Sequence, residues 1–383
     1  MMFAEERRQL GGSRRSSEEP MKLAIVAGEA SGDLHASEVV HELKKLEPKL
    51  TTFGIGGDLL AAEGMDVLHH AREMGIVGLF NVIRHLGMFR RVFAELLAEI
   101  EKRRPDAVLL VDYPDFNLRL AKRVHALGIP VIYYISPQVW AWRRGRVKGI
   151  ARCVDHMIVI FPFEEQFYRE HGVPVTYVGH PLIDELTERR ATASVNDQLT
   201  LALMPGSRRG EVASVLGPMI DAVRVLRRDR DVHAYVIQAP TIGAHELQKA
   251  SDAGIEIIPH DRGESLAAAD VALSSSGTAT LESAIVGTPV VVVYKLSPAT
   301  HWLALRLVKL SHFSLVNIVA GREVVPELLQ HDVNGERIAD EVRKLIEPAR
   351  NAGVKAALAE VRAKLGGSGA SRRAAAQIFS MLG

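Results

Sequence analysis

The sequence predicts an α/β chain built as two doubly wound domains that face each other across a cleft. Three observations carry this reading. From Lys22 onward, apolar runs of strand length alternate with amphipathic stretches of helical spacing; the alternation lapses between Asp184 and Gln198; and it restarts at Leu199. Apolar runs that end in turns rich in Gly, Ser or Pro and then open a helix are the pattern of a parallel, Rossmann-like sheet. Lys22–Ala27 reads as the first strand, after which Ala36, Val39, Val40, Leu43 and Leu46 recur on one helical face. Further buried strands are expected at Ala107–Val111, Val131–Ile135, Met157–Phe161 and Val175–Val178. The polar stretch TERRATASVNDQ then reads as a linker. Beyond it, strands are expected at Leu199–Met204, Val232–Gln238, Ile255–Ile258, Val271–Leu273 and Pro289–Tyr294. The expected division is an extension over 1–20, a first domain over 21–190, a second over 191–355 and a closing helical segment over 356–383.

Composition narrows the function. At roughly 150 residues per domain, 383 residues fit two or three domains. Cys153 is the only cysteine, which excludes an intrachain disulfide or a zinc–cysteine cluster and fits a reducing compartment. Lys and Arg number 47 against 46 Asp and Glu, so no global basic field exists to draw a nucleic acid. No apolar run reaches the roughly 18 residues of a membrane span. Met1–Pro20 lacks the apolar centre of a signal peptide and reads as a disordered extension, with Met21 as an alternative start.

Familiar motifs fail on inspection. His41-Glu42 and His245-Glu246 open a zinc-protease pattern, but Lys45 and Lys249 stand where the second His is needed. There is no Gly-Lys dipeptide for a phosphate-binding P-loop. Gly54-Ile55-Gly56-Gly57 lacks the third glycine of a dinucleotide fingerprint, since Leu59 takes its place. Gly28-Glu29-Ala30-Ser31-Gly32 misplaces the serine of a hydrolase elbow by one residue.

In doubly wound sheets ligands sit at the carboxyl ends of strands, so the strand-to-helix turns are where chemistry is expected. Gly28, Glu29 and Ser31 lie in the turn after the first strand, where glycines admit a close ligand and free amides face outward; Asp33 serves equally as a helix cap. Asp112 follows another strand directly and is the candidate general base, with Asp115 as the cap of the next helix. Ser136, Gln138 and Trp140 end a third strand, and the indoles there suit stacking on a sugar. His180 either contacts a ligand or shapes a hinge. In the second half, Ser207 and Arg208 open a helix whose dipole and guanidinium suit a diphosphate without a metal. Ser276, Gly277 and Thr278 offer amides and hydroxyls to phosphate oxygens. Glu282, one turn further, either accepts ribose hydroxyls or caps its helix. Apolar residues edged with cations, among them Phe80, Ile83, Met88, Phe89 and Trp302, suit a membrane surface, acyl chains or an ordinary core face.

Taken together, these stretches resemble the lipid-A-disaccharide synthase family, inverting glycosyltransferases of the two-Rossmann-domain, GT-B type. The residues that carry the resemblance are AGEASGD (Ala27–Asp33), DYPDFN (Asp112–Asn117), SPQVWAWR (Ser136–Arg143), PFE (Pro162–Glu164), VGHP (Val178–Pro181), PGSRRGEV (Pro205–Val212), SSGTATLE (Ser275–Glu282) and NIVAGREVVPELLQ (Asn317–Gln330). They run in the family's order over nearly the whole chain after Met21. The resemblance implies transfer of 2,3-diacylglucosamine from UDP to 2,3-diacylglucosamine 1-phosphate (lipid X), giving a β-1,6-linked disaccharide phosphate and UDP, within lipopolysaccharide biosynthesis. It implies Asp112 as the catalytic base and Arg208 as the essential donor-side arginine. Ser276, Gly277, Thr278, Glu282, Asn317 and Glu327 fall in its nucleotide-binding segments. No cofactor or obligatory metal is expected. The acylated substrates imply peripheral attachment to the inner face of the cytoplasmic membrane. Gly78 departs from the family, whose members commonly carry Glu there. Gly369–Leu382 resembles the family's tail, which crosses back to the first domain or exchanges between protomers, so a homodimer is compatible. Two alternatives share the fold: a UDP-sugar transferase with another lipid acceptor, and a nucleotide-sugar epimerase.

Overall fold

The computed structural model describes residues 20–75, 82–142, 144–187, 198–259, 263–296 and 311–382. The expected extension, except Pro20, therefore lies outside the described residues, as do Gly78 and most of the expected linker.

The chain forms two units: residues to Pro181 together with the segment from Ser368, and Leu182–Gly367. The second unit thus begins ahead of the expected boundary at 190, because Leu182–Thr187 is a helix that packs on helix Thr278–Val286. The closing segment is also divided: helix Pro348–Lys364 belongs to the second unit and helix Ala370–Leu382 to the first.

The first unit holds seven parallel strands: β1 (Lys22–Ala27), β2 (Thr51–Gly56), β3 (Asp66–His70), β4 (Ala107–Val111), β5 (Val131–Tyr134), β6 (His156–Val159) and β7 (Val175–Tyr177), in the order β3-β2-β1-β4-β5-β6-β7. Every residue of β4 and all of β1 after Lys22 are fully buried, the pattern of a sheet covered on both faces. Helix Ala30–Leu46 buries Ala36, Val39, Val40 and Leu43 and carries Lys44 and Lys45 in its last turn, where cations complement the dipole. Helix Ala370–Leu382 packs on it with Ala370, Ala374, Ala375 and Ile378 fully buried. Ser371 Oγ donates to Glu38 Oε2 (2.9 Å), and Arg373 donates to the carbonyls of Val178 and Ser368, both at 2.7 Å.

The second unit holds β8 (Leu199–Met204), β9 (Val232–Gln238), β10 (Glu256–Pro259), β11 (Val271–Ser275), β12 (Val290–Tyr294) and β13 (Glu327–Leu329), all parallel, in the order β10-β9-β8-β11-β12-β13. Among the described residues no helix is long and apolar enough to cross a membrane.

Candidate active site

Both sheets reverse their strand order once, between β1 and β4 and between β8 and β11. Doubly wound sheets bind ligands beyond the strand ends at such a reversal. The expected motifs occupy these places. Ala27 pairs with Val111, so Gly28 and Asp112 leave neighbouring strands side by side. Met204 pairs with Ser274 in the same way, putting Pro205–Arg208 beside Ser275–Thr278.

Asp112 is half-buried, and burial first, then the negative charge of Glu29, pushes its carboxyl up to about 6. Asp112 and Tyr113 both adopt left-handed backbone, φ 47° and 48°, which costs about 1–2 kcal/mol for a residue such as Tyr113 and less for Asp, whose carboxyl accepts from the Tyr113 amide. The Asp112 amide donates to the Tyr134 carbonyl (3.1 Å), and its carbonyl accepts from Tyr133 Oη (2.5 Å) and Asn117 Nδ2 (2.7 Å). The backbone at Asp112 is thus held by donors from separate elements at the strand-order reversal. Asp115 does not cap the next helix, which starts at Pro114; it is exposed and pairs with Arg146 (3.1 Å).

The turn after β1 differs from expectation. A Cβ on Gly28 would lie 2.6 Å from the Tyr113 ring, so the absent side chain admits Tyr113. Glu29 and Ser31 are exposed. Asp33 is buried and accepts from the amides of Gly57 (2.6 Å), Leu59 (3.0 Å) and Leu60 (3.2 Å), so it caps the helix after β2 and not its own.

Ser136 and Trp140 are buried, and both donate to Glu164 Oε1, at 2.7 and 3.0 Å, while Phe161 N donates to Oε2 at 3.1 Å. Their polar groups thus serve the turn itself, and Gln138 remains exposed. Burial pushes the Glu164 carboxyl up to about 7 against the pull of these donors. The PFE and SPQVWAWR motifs are therefore one structural feature. His180 is also buried and lies against Phe161, ring centroids 5.1 Å apart; burial, then His35, pushes it down to about 3, and burial pushes His35 down to about 4.

In the second unit Arg208 is exposed, immediately precedes helix Arg209–Leu226 and pairs with Glu211 (3.3 Å). A Cβ on Gly206 (φ 114°) would lie 2.6 Å from Glu211 Oε2 and 3.0 Å from Ser275 Oγ, so this carboxylate sits over the turn. Ser207 and Thr278 are exposed, Gly277 has φ 129°, and Glu282 is buried within helix Thr278–Val286. Ser276 Oγ donates to the Phe313 carbonyl (3.0 Å). Asn317 is fully buried; its Oδ1 accepts from Val324 N and Val325 N, and its Nδ2 donates to Glu327 Oε1 (2.9 Å). Glu327 also accepts from Phe313 N, Ser314 N and Ser314 Oγ. Asn317 and Glu327 thus shape the chain around residues 313–327, which the Ser276 hydroxyl ties to the turn after β11.

Met88 and Phe89 are half-buried and pack on the core of the first unit. Phe80, Trp302 and the side chain of Ile83 lie outside the described residues. Among the described residues no group of three or more His, Cys, Asp or Glu could hold a metal ion. Asn117, Tyr133, Glu164, Glu211 and His35 were not assigned from sequence. Asn117, Glu164 and Glu211 stand inside recognised motifs, whereas Tyr133 and His35 carry no local signal.

Two parallel sheets, each with its motif turns at the reversal, define the GT-B class of α/β protein. Solved structures of that fold include a UDP-glucosyltransferase from Polygonum tinctorium (TM-score 0.61, 15% identity, 96% of this chain and 99% of that one) and a UDP-GlcNAc 2-epimerase from Neisseria meningitidis bound to UDP-GlcNAc (TM-score 0.59, 14% identity, 94% and 99%). Sequence decides between them: residues 23–380 match the lipid-A-disaccharide synthetase family. The lipid-A-disaccharide synthase of Myxococcus xanthus (strain DK1622) is 43% identical over 375 residues, 95% of this chain and 98% of that protein; that of Anaeromyxobacter dehalogenans (strain 2CP-C) is 44% identical over 374 residues, 94% and 97%. The chain belongs to the lipid-A-disaccharide synthase family and is a glycosyltransferase of lipid A biosynthesis.

Proposed function

We propose that the chain transfers 2,3-diacylglucosamine from UDP to the 6-hydroxyl of lipid X in a single inverting displacement, with Asp112 as the base. Asp112 takes the hydroxyl proton, the acceptor oxygen bonds to the anomeric carbon, and the bond to the UDP oxygen breaks, leaving UDP to carry the electron pair. The observation that carries this is the carboxyl of Asp112 at the β1/β4 reversal, held on strained backbone with its proton affinity raised toward neutrality.

The donor is read onto the second unit. Arg208, Ser207 and the first amides of helix Arg209–Leu226, with Ser276, Gly277 and Thr278, bear the diphosphate charge, and Glu282 takes the ribose hydroxyls. Asn317 and Glu327 support that turn through Phe313. The acceptor is read onto Glu29, Ser31 and Gln138, with Ser136 and Trp140 shaping the wall, while Gly28 serves by admitting Tyr113. The chemistry is proposed without an obligatory metal, because a cation and two helix N-termini already oppose the developing charge. Acyl chains on both sugars favour work at the inner membrane surface.

The test is UDP release from UDP-2,3-diacylglucosamine with and without lipid X, the lipid product being weighed by mass spectrometry. Acceptor-dependent release with a tetraacyl disaccharide phosphate is expected. Release without acceptor, or none with UDP still bound, overturns the reading.

A further inference from the structure

We propose that Tyr133 and Asn117 are positioning residues of the transfer: they hold the backbone of Asp112 in the left-handed conformation that aims its carboxyl, and turnover depends on them through Asp112. The inference rests on the reading of Asp112 as base.

Two consecutive residues with side chains adopt positive φ directly after β4; Asp112 tolerates it, its carboxyl accepting from the Tyr113 amide, but Tyr113 does not. Such backbone persists only where the surroundings over-determine it. The determinants here are specific. The Asp112 carbonyl accepts from Tyr133 Oη at 2.5 Å and from Asn117 Nδ2 at 2.7 Å, two donors on separate elements converging on one oxygen. Both residues are fully buried, so no water competes for that carbonyl through them. The Asn117 amide also reaches the carbonyls of Val111 (3.2 Å) and Val26 (3.5 Å), which ties the ends of β4 and β1 where the strand order reverses. If Asp112 relaxed to negative φ, its carbonyl would leave both donors and its side chain would swing with the Cα. Among the described residues, Tyr133 Oη and Asn117 Nδ2 donate to main-chain carbonyls and not to the Asp112 carboxyl, so their effect runs through the main chain.

The experiment compares the full-length chain with Tyr133→Phe, Asn117→Ala, Asp112→Asn and the Asp112→Asn/Tyr133→Phe double variant. Tyr133→Phe keeps the ring and removes only the hydroxyl. It is expected to lower kcat about tenfold or more, with KM for the UDP-sugar and UDP affinity within about twofold. The acid limb of its pH profile is expected to move down, as the carboxyl escapes burial. In the Asp112→Asn background the same change is expected to cost nothing further, since residues acting through one group are non-additive. Unchanged kcat and acid limb in Tyr133→Phe overturn the inference, as does an undiminished further loss in the double variant. Asn117→Ala should reproduce the Tyr133→Phe pattern; if it does not fold, Tyr133→Phe decides alone. Near-normal turnover by Asp112→Asn instead overturns the base assignment itself, a separate outcome.

Discussion

The negative charge of Glu29, at the end of β1, raises the proton affinity of Asp112, at the end of the adjacent β4. Glu29 is exposed and Asp112 half-buried, so salt screens this coupling only in part. Because the base must be unprotonated, turnover is expected to fall as pH drops through about 6. Glu29→Gln removes a like charge and should move that limb toward lower pH; a limb that stays put removes Glu29 from the account. Asp112→Asn should abolish most turnover and leave UDP affinity nearly intact by calorimetry.

Arg208→Ala is expected to weaken UDP binding by about 1.5–3 kcal/mol, the range for a charge-assisted hydrogen bond, and to lower kcat. Isothermal titration with UDP reads it directly. Affinity equal to that of the unaltered chain would take Arg208 out of the diphosphate site.

Removing the Glu164 side chain takes away the buried acceptor that the Ser136 hydroxyl, the Trp140 indole and the Phe161 amide share. Unpaired buried donors cost about 1–3 kcal/mol each, so Glu164→Ala should lose several kcal/mol in urea unfolding. A loss under about 0.5 kcal/mol, the level of an ordinary surface change, would contradict the network.

His35 and His180 bind a proton less readily folded than unfolded, with folded values near 4 and 3. Their neutral state therefore favours folding fully above pH 6.5, and this contribution is lost as pH falls from there toward 4 and then 3. Asp112 and Glu164 act oppositely, since their raised values let the folded chain take up protons first. The histidine part is read by difference: the stability gap between the protein and a His35→Gln/His180→Gln variant should shrink on acidification. A gap independent of pH between 6.5 and 4 would contradict the assignment.

Chelation offers a simple check on the proposed charge stabilisation. Turnover measured after dialysis against EDTA should match the untreated enzyme, and a loss restored by a divalent cation would show that Arg208 and the helix termini do not suffice.

Strands β1, β4, β8 and β11 were legible because apolar runs ending in turns that carry Gly, Ser or Pro have few other readings. The edge strands β7 and β10 were legible in the same way, whereas β2, β3 and β13 were not. β2 contains Gly54 at φ 139°, whose missing side chain allows close approach to Ile25, and β3 is exposed or half-buried along its length. β13 spans only Glu327–Leu329. The motif turns were legible for the same reason as their strands. What each side chain touches was not: Ser136 and Trp140 meet Glu164, and Ser276 meets Phe313, across separations no periodicity reports. Gly28 reads from sequence as an opening for ligand, and only the fold shows that Tyr113 fills it.

The first unit is completed by residues that follow the whole of the second in the chain. During synthesis Leu182–Gly367 emerges before Ala370–Leu382, so the face of helix Ala30–Leu46 waits uncovered while the later unit is made. Arg373, joined to the carbonyls of Val178 and Ser368, closes that interval by fastening the departing and the returning strand of chain at one place. A chain cut just after Gly367 would thus carry the whole of the second unit and a first unit that still lacks its last helix.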